Sequence, residues 1–126
     1  NNLSNKIDLI ISGGIQTPGD VLKALALGAS AVYMGTAILY AALHNQIIKA
    51  LPYEPPTQLA WSTGSLQDLY DPEQGAQSLA RFLTNFAEEM KIGLRALGKS
   101  SVKELSRHDL LAWDPEVSRI TGIPLS

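Results

Sequence analysis

The sequence has 126 residues, of which 45% are hydrophobic and 17% charged, a composition typical of a globular protein with one modest core. Its 10 basic and 12 acidic residues leave a net charge of -2, which gives no electrostatic basis for binding nucleic acid or an acidic membrane. The absence of cysteine excludes disulfides, thiolate metal sites and thiol nucleophiles. With no run of about 18 apolar residues and no signal-peptide pattern, the sequence favours a cytoplasmic location.

A βαβ unit is predicted between Ile7 and Leu43. Residues 7–11 and 29–34 are short, nearly continuous apolar runs, which indicate strands buried on both faces, as in parallel sheets. The connection between the two runs is long enough for a helix, so we expect the strands to be parallel with a right-handed crossover. The predicted fold class is therefore α/β.

Residues that favour helix ends mark the first two helices of the chain. Thr17 is expected to cap the first helix, with Pro18 at its first position and Asp20 in its first turn. Gly28 follows where a left-handed residue commonly ends a helix. A second helix is predicted over residues 37–49.

The remainder is predicted to be an irregular segment followed by helices. Prolines exclude helix from residue 51 to 70, where we expect an extended stretch with a turn. A long helix, capped by Asp71 and ended by Gly98, is predicted from apolar residues that recur at three- and four-residue steps. These apolar residues are Leu79, Phe82, Leu83, Phe86, Met90, Leu94 and Leu97.

The C-terminal third is expected to be entirely helical. Ser101 and Glu104 have the spacing of a capping box, and Ser106 and Asp114 are further candidate N-caps. Gly122 is expected to end the last helix.

Small residues follow both predicted strands, each time just before a helix. Gly13 and Gly14 come after the first strand, and Gly35 and Thr36 after the second. Because the carboxyl ends of parallel strands meet at one edge of a sheet, both pairs are expected on the same rim. Glycine permits positive φ and close approach of a ligand, while amides at a helix N-terminus and the Thr36 hydroxyl can donate to an anion. Such hydrogen bonds are worth about 1.5–3 kcal/mol each, so three or four would hold a phosphate without a lysine.

The alternative explanation of these glycines is purely structural, since glycine also makes tight turns between strand and helix.

The stretches around the glycines resemble a known superfamily. IISGGI, TPGDV, KALALGA and AVYMGTA look like the last two βα units of the FMN-binding (β/α)₈ barrels. That superfamily includes glutamate synthase, IMP dehydrogenase, the α-hydroxy acid oxidases and type 2 isopentenyl diphosphate isomerase. Within it, EEMK, LRALG and VKEL resemble the tail of the glutamate synthase FMN domain. LPYEPPTQ and TGIPL are similar to stand-alone bacterial glutamate synthase-like proteins.

The resemblance implies a C-terminal fragment of a TIM (β/α)₈ barrel followed by a helical tail. Residues 1–50 would form the last two βα units, 51–70 a proline-containing loop, and 71–126 a helical C-terminal extension. The cofactor implied is FMN, with its phosphate held by the residues of the two loops. These are Ser12, Gly13, Gly14, Ile15, Met34, Gly35 and Thr36.

The activity implied is that of an FMN-dependent glutamate synthase-like oxidoreductase acting on a small 2-oxoglutarate or glutamate type of substrate. The residues that contact the flavin ring would lie outside this segment, so the segment alone is expected to be inactive and to lose FMN.

One departure from the family concerns iron. In glutamate synthase the helix after the eighth strand carries cysteines that ligate a [3Fe-4S] cluster, and His44 falls about where the first would be. Since this chain has no cysteine, no cluster is expected.

Two other functions stay open on the sequence. In an IMP dehydrogenase-like barrel the same loops would hold a nucleotide phosphate; alternatively, the segment is a non-catalytic helical interaction module. Unpaired strand edges leave self-association open as well.

No catalytic residue and no metal-ligand set is assigned within the segment. His44 and His108 are interpreted as ordinary helix residues. Trp61 and Trp113 are interpreted as packing anchors, with Trp61 bordering the flavin site as the alternative.

Overall fold

The computed structural model describes residues 7–47 and 57–126. Two compact units form within them. Unit one combines the described residues up to Tyr33 with Ala87–Ser126, and unit two runs from Met34 to Phe86.

Helices and two short strands make up the secondary structure. In chain order they are β1 (Ile10–Ser12), α1 (Pro18–Ala26), β2 (Ala31–Tyr33), α2 (Thr36–Leu43), α3 (Thr57–Ala60), α4 (Pro72–Ala96) and α5 (Pro115–Thr121). Single 3-10 turns lie at Gln67–Leu69, Val102–Glu104 and Arg107–Asp109.

The two strands of unit one pair in parallel, which confirms the α/β prediction. Ile10 lies opposite Ala31, and Ser12 lies opposite Tyr33, so the strands end at the same edge. The prediction that both strands are buried on both faces was wrong, because Ile10 is 50% and Tyr33 66% exposed. Within the described residues the sheet has only two strands, so each strand keeps one unpaired edge.

Helix α1 begins and ends as predicted. The Thr17 hydroxyl accepts a hydrogen bond from the Asp20 amide, and the Asp20 carboxylate accepts one from the Thr17 amide, which completes a capping box. Gly28 follows the helix with φ of +109°. Val21 and Ala24 are buried on its apolar face.

The core of unit two is formed by Leu43 and Leu59, each 1% exposed. Leu39, Ile47, Leu66 and Tyr70 pack around them.

A buried glutamine fixes the entry into α4. The Gln46 side chain has no exposed surface, yet its amide is satisfied. Its Nε2 donates to the Asp71 carbonyl at 3.0 Å, and its Oε1 accepts from the Asp71 amide at 2.7 Å. The pairing satisfies both polar atoms of a side chain that would otherwise be costly to bury.

Two predicted boundaries need correction in unit two. Helix α2 ends at Leu43 rather than continuing to residue 49, and residues 48–56 lie outside the described part of the chain. Helix α3 lies within the stretch where prolines were expected to exclude helix. The prolines of that stretch all precede Thr57, so they remove no hydrogen bond from this turn.

The long helix α4 was predicted correctly and runs through both units. The Asp71 carboxylate caps it by accepting from the Gln74 amide at 3.1 Å, and Gly98 follows its end with φ of +69°. In unit two, the Phe82 and Phe86 rings lie 5.5 Å apart. None of the described helices combines the length and apolarity needed to cross a membrane.

The tail after α4 is less helical than predicted. The Glu104 carboxylate binds the Ser100 amide and hydroxyl instead of capping at Ser101, and only a 3-10 turn forms there. A parallel bridge joins Ala112 to Leu125 by backbone hydrogen bonds.

The last helix follows the prediction. Asp114 caps α5 by accepting from the Glu116 and Val117 amides, and Gly122 ends it with φ of +70°.

Candidate phosphate-binding site

The loop after β1 has the backbone shape that its glycines predict. Gly13 and Gly14 have φ of +98° and +71°, values that side chains with a Cβ rarely adopt. A Cβ added to either would meet no atom within 4 Å, so the loop is open on its outer side. The amides of Gly14 and Ile15 have no hydrogen-bond partner among the described residues. This loop therefore presents free donors beside open space.

The carboxylate of Asp20 reaches back from α1 into the same loop. Its Oδ2 accepts from the Gln16 amide at 3.3 Å, the Thr17 amide at 3.0 Å and the Thr17 hydroxyl at 2.8 Å. Its Oδ1 lies 3.0 Å from Lys23 Nζ. The hydrogen bond from Lys23 and those from Thr17 and Gln16 hold the pKa of Asp20 well below its ordinary value. At neutral pH the N-terminus of α1 thus already carries an anion of its own.

The start of α2, in unit two, is different. Gly35 is the N-cap, no side chain caps the helix, and no acidic residue lies in its first turn. The first amides of a helix have no partner within it, so this end can accept an external anion. The positive φ expected at Gly35 is absent. Its φ is -101°, a value that residues with a side chain also adopt. A Cβ on Gly35 would also meet only open space.

The candidate residues fall into two groups. Ser12 to Ile15 follow β1 in unit one, with Ser12, Gly13 and Gly14 exposed. Met34, Gly35 and Thr36 follow directly after Tyr33 in the chain and begin unit two. The parallel register places the ends of both strands, Ser12 and Tyr33, side by side in unit one.

The two histidines singled out in the sequence are both exposed. His44 is exposed at the end of α2 with Nδ1 3.1 Å from the Ala41 carbonyl oxygen, and His108 is exposed in a 3-10 turn. Across the described ranges, no three His, Cys, Asp or Glu side chains come together as a metal site.

The tryptophans were not the anchors that the sequence suggested. Trp61 is 57% and Trp113 92% exposed. Trp113 lies in a bend between the buried bridge residue Ala112 and the start of α5.

One feature of unit one was missed by the sequence reasoning. An apolar groove of about 310 Å³ lies between α1, the end of α4 and the following tail. Gly93 allows the close approach of the helices, since a Cβ there would lie 2.6 Å from Leu22 Cδ1. A glycine inside a long amphipathic helix is the signal that could have indicated it.

An ion pair at the same end of α4 was missed as well. Lys99 Nζ lies 3.2 Å from Asp109 Oδ1 and donates to the Glu104 carbonyl at 2.7 Å. It ties the tail to the end of the helix.

The chain is similar to a conserved region of glutamate synthase and to several proteins that carry that name. The family model for the conserved region in glutamate synthase matches residues 1–100. A glutamate synthase large subunit-like protein of Rhizobium meliloti is 31% identical over 98% of this chain and 32% of its own length. An archaeal glutamate synthase [NADPH] of Methanocaldococcus jannaschii is 37% identical over 82% of this chain and 20% of its own length. L-lactate dehydrogenase (cytochrome) of Saccharomyces cerevisiae is 28% identical over 98% of this chain and 16% of its length.

The chain thus spans about a third or less of the length of these relatives. No solved structure matches it.

Proposed function

The chain belongs to the family defined by the conserved region in glutamate synthase, and from this we propose that it is the C-terminal barrel segment of an FMN-dependent glutamate synthase-like oxidoreductase. In this proposal residues 1–50 are the last two βα units of a TIM (β/α)₈ barrel, 51–70 a connecting loop and 71–126 a helical extension. The segment supplies the two loops that hold the FMN phosphate. The substrate is of the 2-oxoglutarate or glutamate type, and the location is cytoplasmic.

The range of relatives supports a shared cofactor-binding segment. Proteins named glutamate synthase and a protein named L-lactate dehydrogenase (cytochrome) match the same chain, although their names describe different reactions. A segment that they have in common is better explained by a common cofactor than by a common substrate.

The observation that carries the proposal is the free-donor loop after β1. Among the described residues the amides of Gly14 and Ile15 have no hydrogen-bond partner, and a Cβ on Gly14 would meet open space, as a phosphate site without basic residues requires. The uncapped start of α2, with the Thr36 hydroxyl, would add the second set of donors. These residues fit a phosphate.

FMN and the residues of this chain have different roles in the proposal. FMN, when bound, supplies the hydride and electron transfer. The residues of this chain bind and orient its phosphate, and we assign them no catalytic step. Because the chain has no cysteine, the proposal includes no iron–sulfur cluster.

The proposal is tested first on the intact protein, since the isolated segment is expected to bind FMN weakly or not at all. The intact protein should purify yellow, or quench flavin fluorescence on titration with FMN. A colourless protein that leaves the fluorescence unchanged would contradict the proposal.

Matched glycine variants test the loops themselves. Gly14→Ala and Gly98→Ala impose the same strain, with φ of +71° and +69°, at a cost of roughly 1–2 kcal/mol each. Of these two variants, only Gly14→Ala should weaken FMN binding, by about tenfold or more, because Gly14 adjoins the proposed phosphate position and Gly98 does not. Gly35→Ala should weaken it as well without a loss of stability, since its φ of -101° suits alanine. Equal affinity in Gly14→Ala and Gly98→Ala would contradict the assignment of the first loop.

A further inference from the structure

We infer that Asp20 is a positioning residue that withholds the donors of Gln16 and Thr17, just before α1, from the bound phosphate and fixes which amides the first loop presents. The inference rests on the proposed phosphate site and deepens it. It names a side chain that touches no ligand but determines the donor set.

A single carboxylate oxygen of Asp20 holds the segment just before α1. Asp20 Oδ2 accepts from the Gln16 amide, the Thr17 amide and the Thr17 hydroxyl, so three donors converge on it. These are the donors that lie between the glycine loop and the first turn of α1. A phosphate could take them only by displacing the carboxylate.

Two donors are left over on the glycine side of the loop. Gly14 and Ile15 have amides without partners, and they immediately precede the segment that Asp20 holds. Fixing Gln16 and Thr17 therefore fixes the end from which the free amides extend. Like-charge repulsion between the Asp20 carboxylate and a phosphate dianion acts in the same direction, away from α1.

The charge of Asp20 has its own partner. Lys23 lies 3.0 Å from Oδ1, the oxygen that does not hold the loop. The two functions of the carboxylate are therefore divided between its two oxygens. Substitutions can therefore separate the effect of the hydrogen bonds to the loop from the effect of the negative charge of Asp20.

Three variants of the intact protein make this separation. Asp20→Asn keeps an oxygen for the three loop donors and removes the charge, Asp20→Ala removes both, and Lys23→Met removes only the ion pair. We expect Asp20→Ala to weaken FMN binding by about tenfold, measured by flavin fluorescence quenching. Asp20→Asn should stay within about twofold of the unchanged protein or bind more tightly, because repulsion of the phosphate is relieved. Lys23→Met should bind normally.

Stability should respond differently. Asp20→Asn loses both the Lys23 pair and the favourable charge at the start of α1, so its thermal midpoint should fall while its FMN affinity does not. A residue with only a structural role would lower affinity and midpoint together. Asp20→Asn that binds FMN more than about fivefold more weakly would overturn the inference, as would Asp20→Ala with unchanged affinity.

Amide hydrogen exchange provides a readout that does not depend on the alanine variant folding. Without FMN, the amides of Gln16 and Thr17 should exchange slowly and those of Gly14 and Ile15 quickly. Of these four amides, only those of Gly14 and Ile15 should gain protection when FMN, or inorganic phosphate alone, is added. New protection at Gln16 and Thr17 would show that the phosphate displaces Asp20 and would overturn the inference.

These measurements on the intact protein and its Asp20 variants also distinguish failure of the inference from failure of the proposed function. If the intact protein binds no FMN, the proposed function fails whatever Asp20 does. If FMN binds and only the Asp20 expectations fail, the phosphate site stands and the positioning role is wrong.

Discussion

A side chain would meet different obstacles at Gly64 and at Gly93. Gly64 is buried, and a Cβ there would overlap the carbonyl oxygen of Gln58, which is backbone and cannot move alone. At Gly93 the nearest obstacle is Leu22 Cδ1, the far end of a flexible side chain beside an open groove. The first glycine is required by close packing, whereas the second can be replaced.

Alanine at these two positions should therefore have opposite consequences. We expect Gly64→Ala to lower the free energy of unfolding by about 1–3 kcal/mol through overpacking. Gly93→Ala should change it by less than about 1 kcal/mol, because the helix propensity gained offsets the shift of Leu22. Urea unfolding of the two variants measures the difference. A Gly64→Ala protein as stable as Gly93→Ala would show that the contact with Gln58 relaxes freely.

Residues whose role is local were predictable from the sequence, and those whose role depends on distant neighbours were not. Thr17 and Asp114 cap helices through partners two or three residues away, so their patterns were sufficient. Trp113 was misjudged because its exposure depends on the course of the tail around it, which no local pattern shows. The role of Asp20 was predicted only in part. Its place in the first turn of α1 follows from the sequence, but the hydrogen bond that it accepts from the Gln16 amide does not.

At the scale of elements, the end of α4 depends on a charged contact. Asp109 accepts from the Ser106 amide at 2.7 Å and pairs with Lys99. The Ser106 backbone hydrogen bond, with Lys99 adding to it, holds the pKa of Asp109 below its ordinary value. The folded state is therefore favoured by the ionised carboxylate.

This contact should make part of the stability depend on pH. Because the folded-state pKa lies below the unfolded value of about 3.9, the stabilisation is complete above that pH and is lost as the pH falls through the folded pKa. Asp109→Asn should lower the thermal midpoint at neutral pH, and its difference from the unchanged protein should shrink as the pH falls below about 3.9 and through the folded-state pKa. Lys99→Met should show a smaller effect, since the Ser106 contact remains. A difference that is constant with pH would contradict this assignment.

Elements were predicted well where one periodicity covers many residues. The apolar stripe extends over seven positions, six in α4 and Leu97 just after it, and the helix bounds follow from it together with Asp71 and Gly98. The short helix α3 and the bridge at Ala112 have no such length, and tertiary contacts decide them. The paired strands were predicted in order and direction, but their exposure depends on what lies beside them.

At the scale of the whole molecule, apolar surface remains exposed around the sheet. Ile7, Leu9, Ile10 and Tyr33 are all at least half exposed. Together with unpaired strand edges, such side chains favour association with another polypeptide.

We therefore expect the isolated 126-residue chain to self-associate. Sedimentation velocity should show an average mass that rises with concentration, and Ile10→Lys should reduce this rise by placing a charge on the exposed face. Lys103→Ala, on an exposed turn of the tail, is the matched control and should leave association unchanged. A monomer at all concentrations would contradict the expectation.

The division of unit one into two stretches of chain affects its synthesis. The strands and α1 lie in residues 7–33, while the end of α4 and the tail that borders the groove beside α1 lie in 87–126. At ribosomal rates of about 5–20 residues per second, the second stretch follows the first after several seconds. During this interval Leu22 and its neighbours have no α4 to pack against, so we expect the apolar face of α1 to stay exposed until synthesis has passed α4.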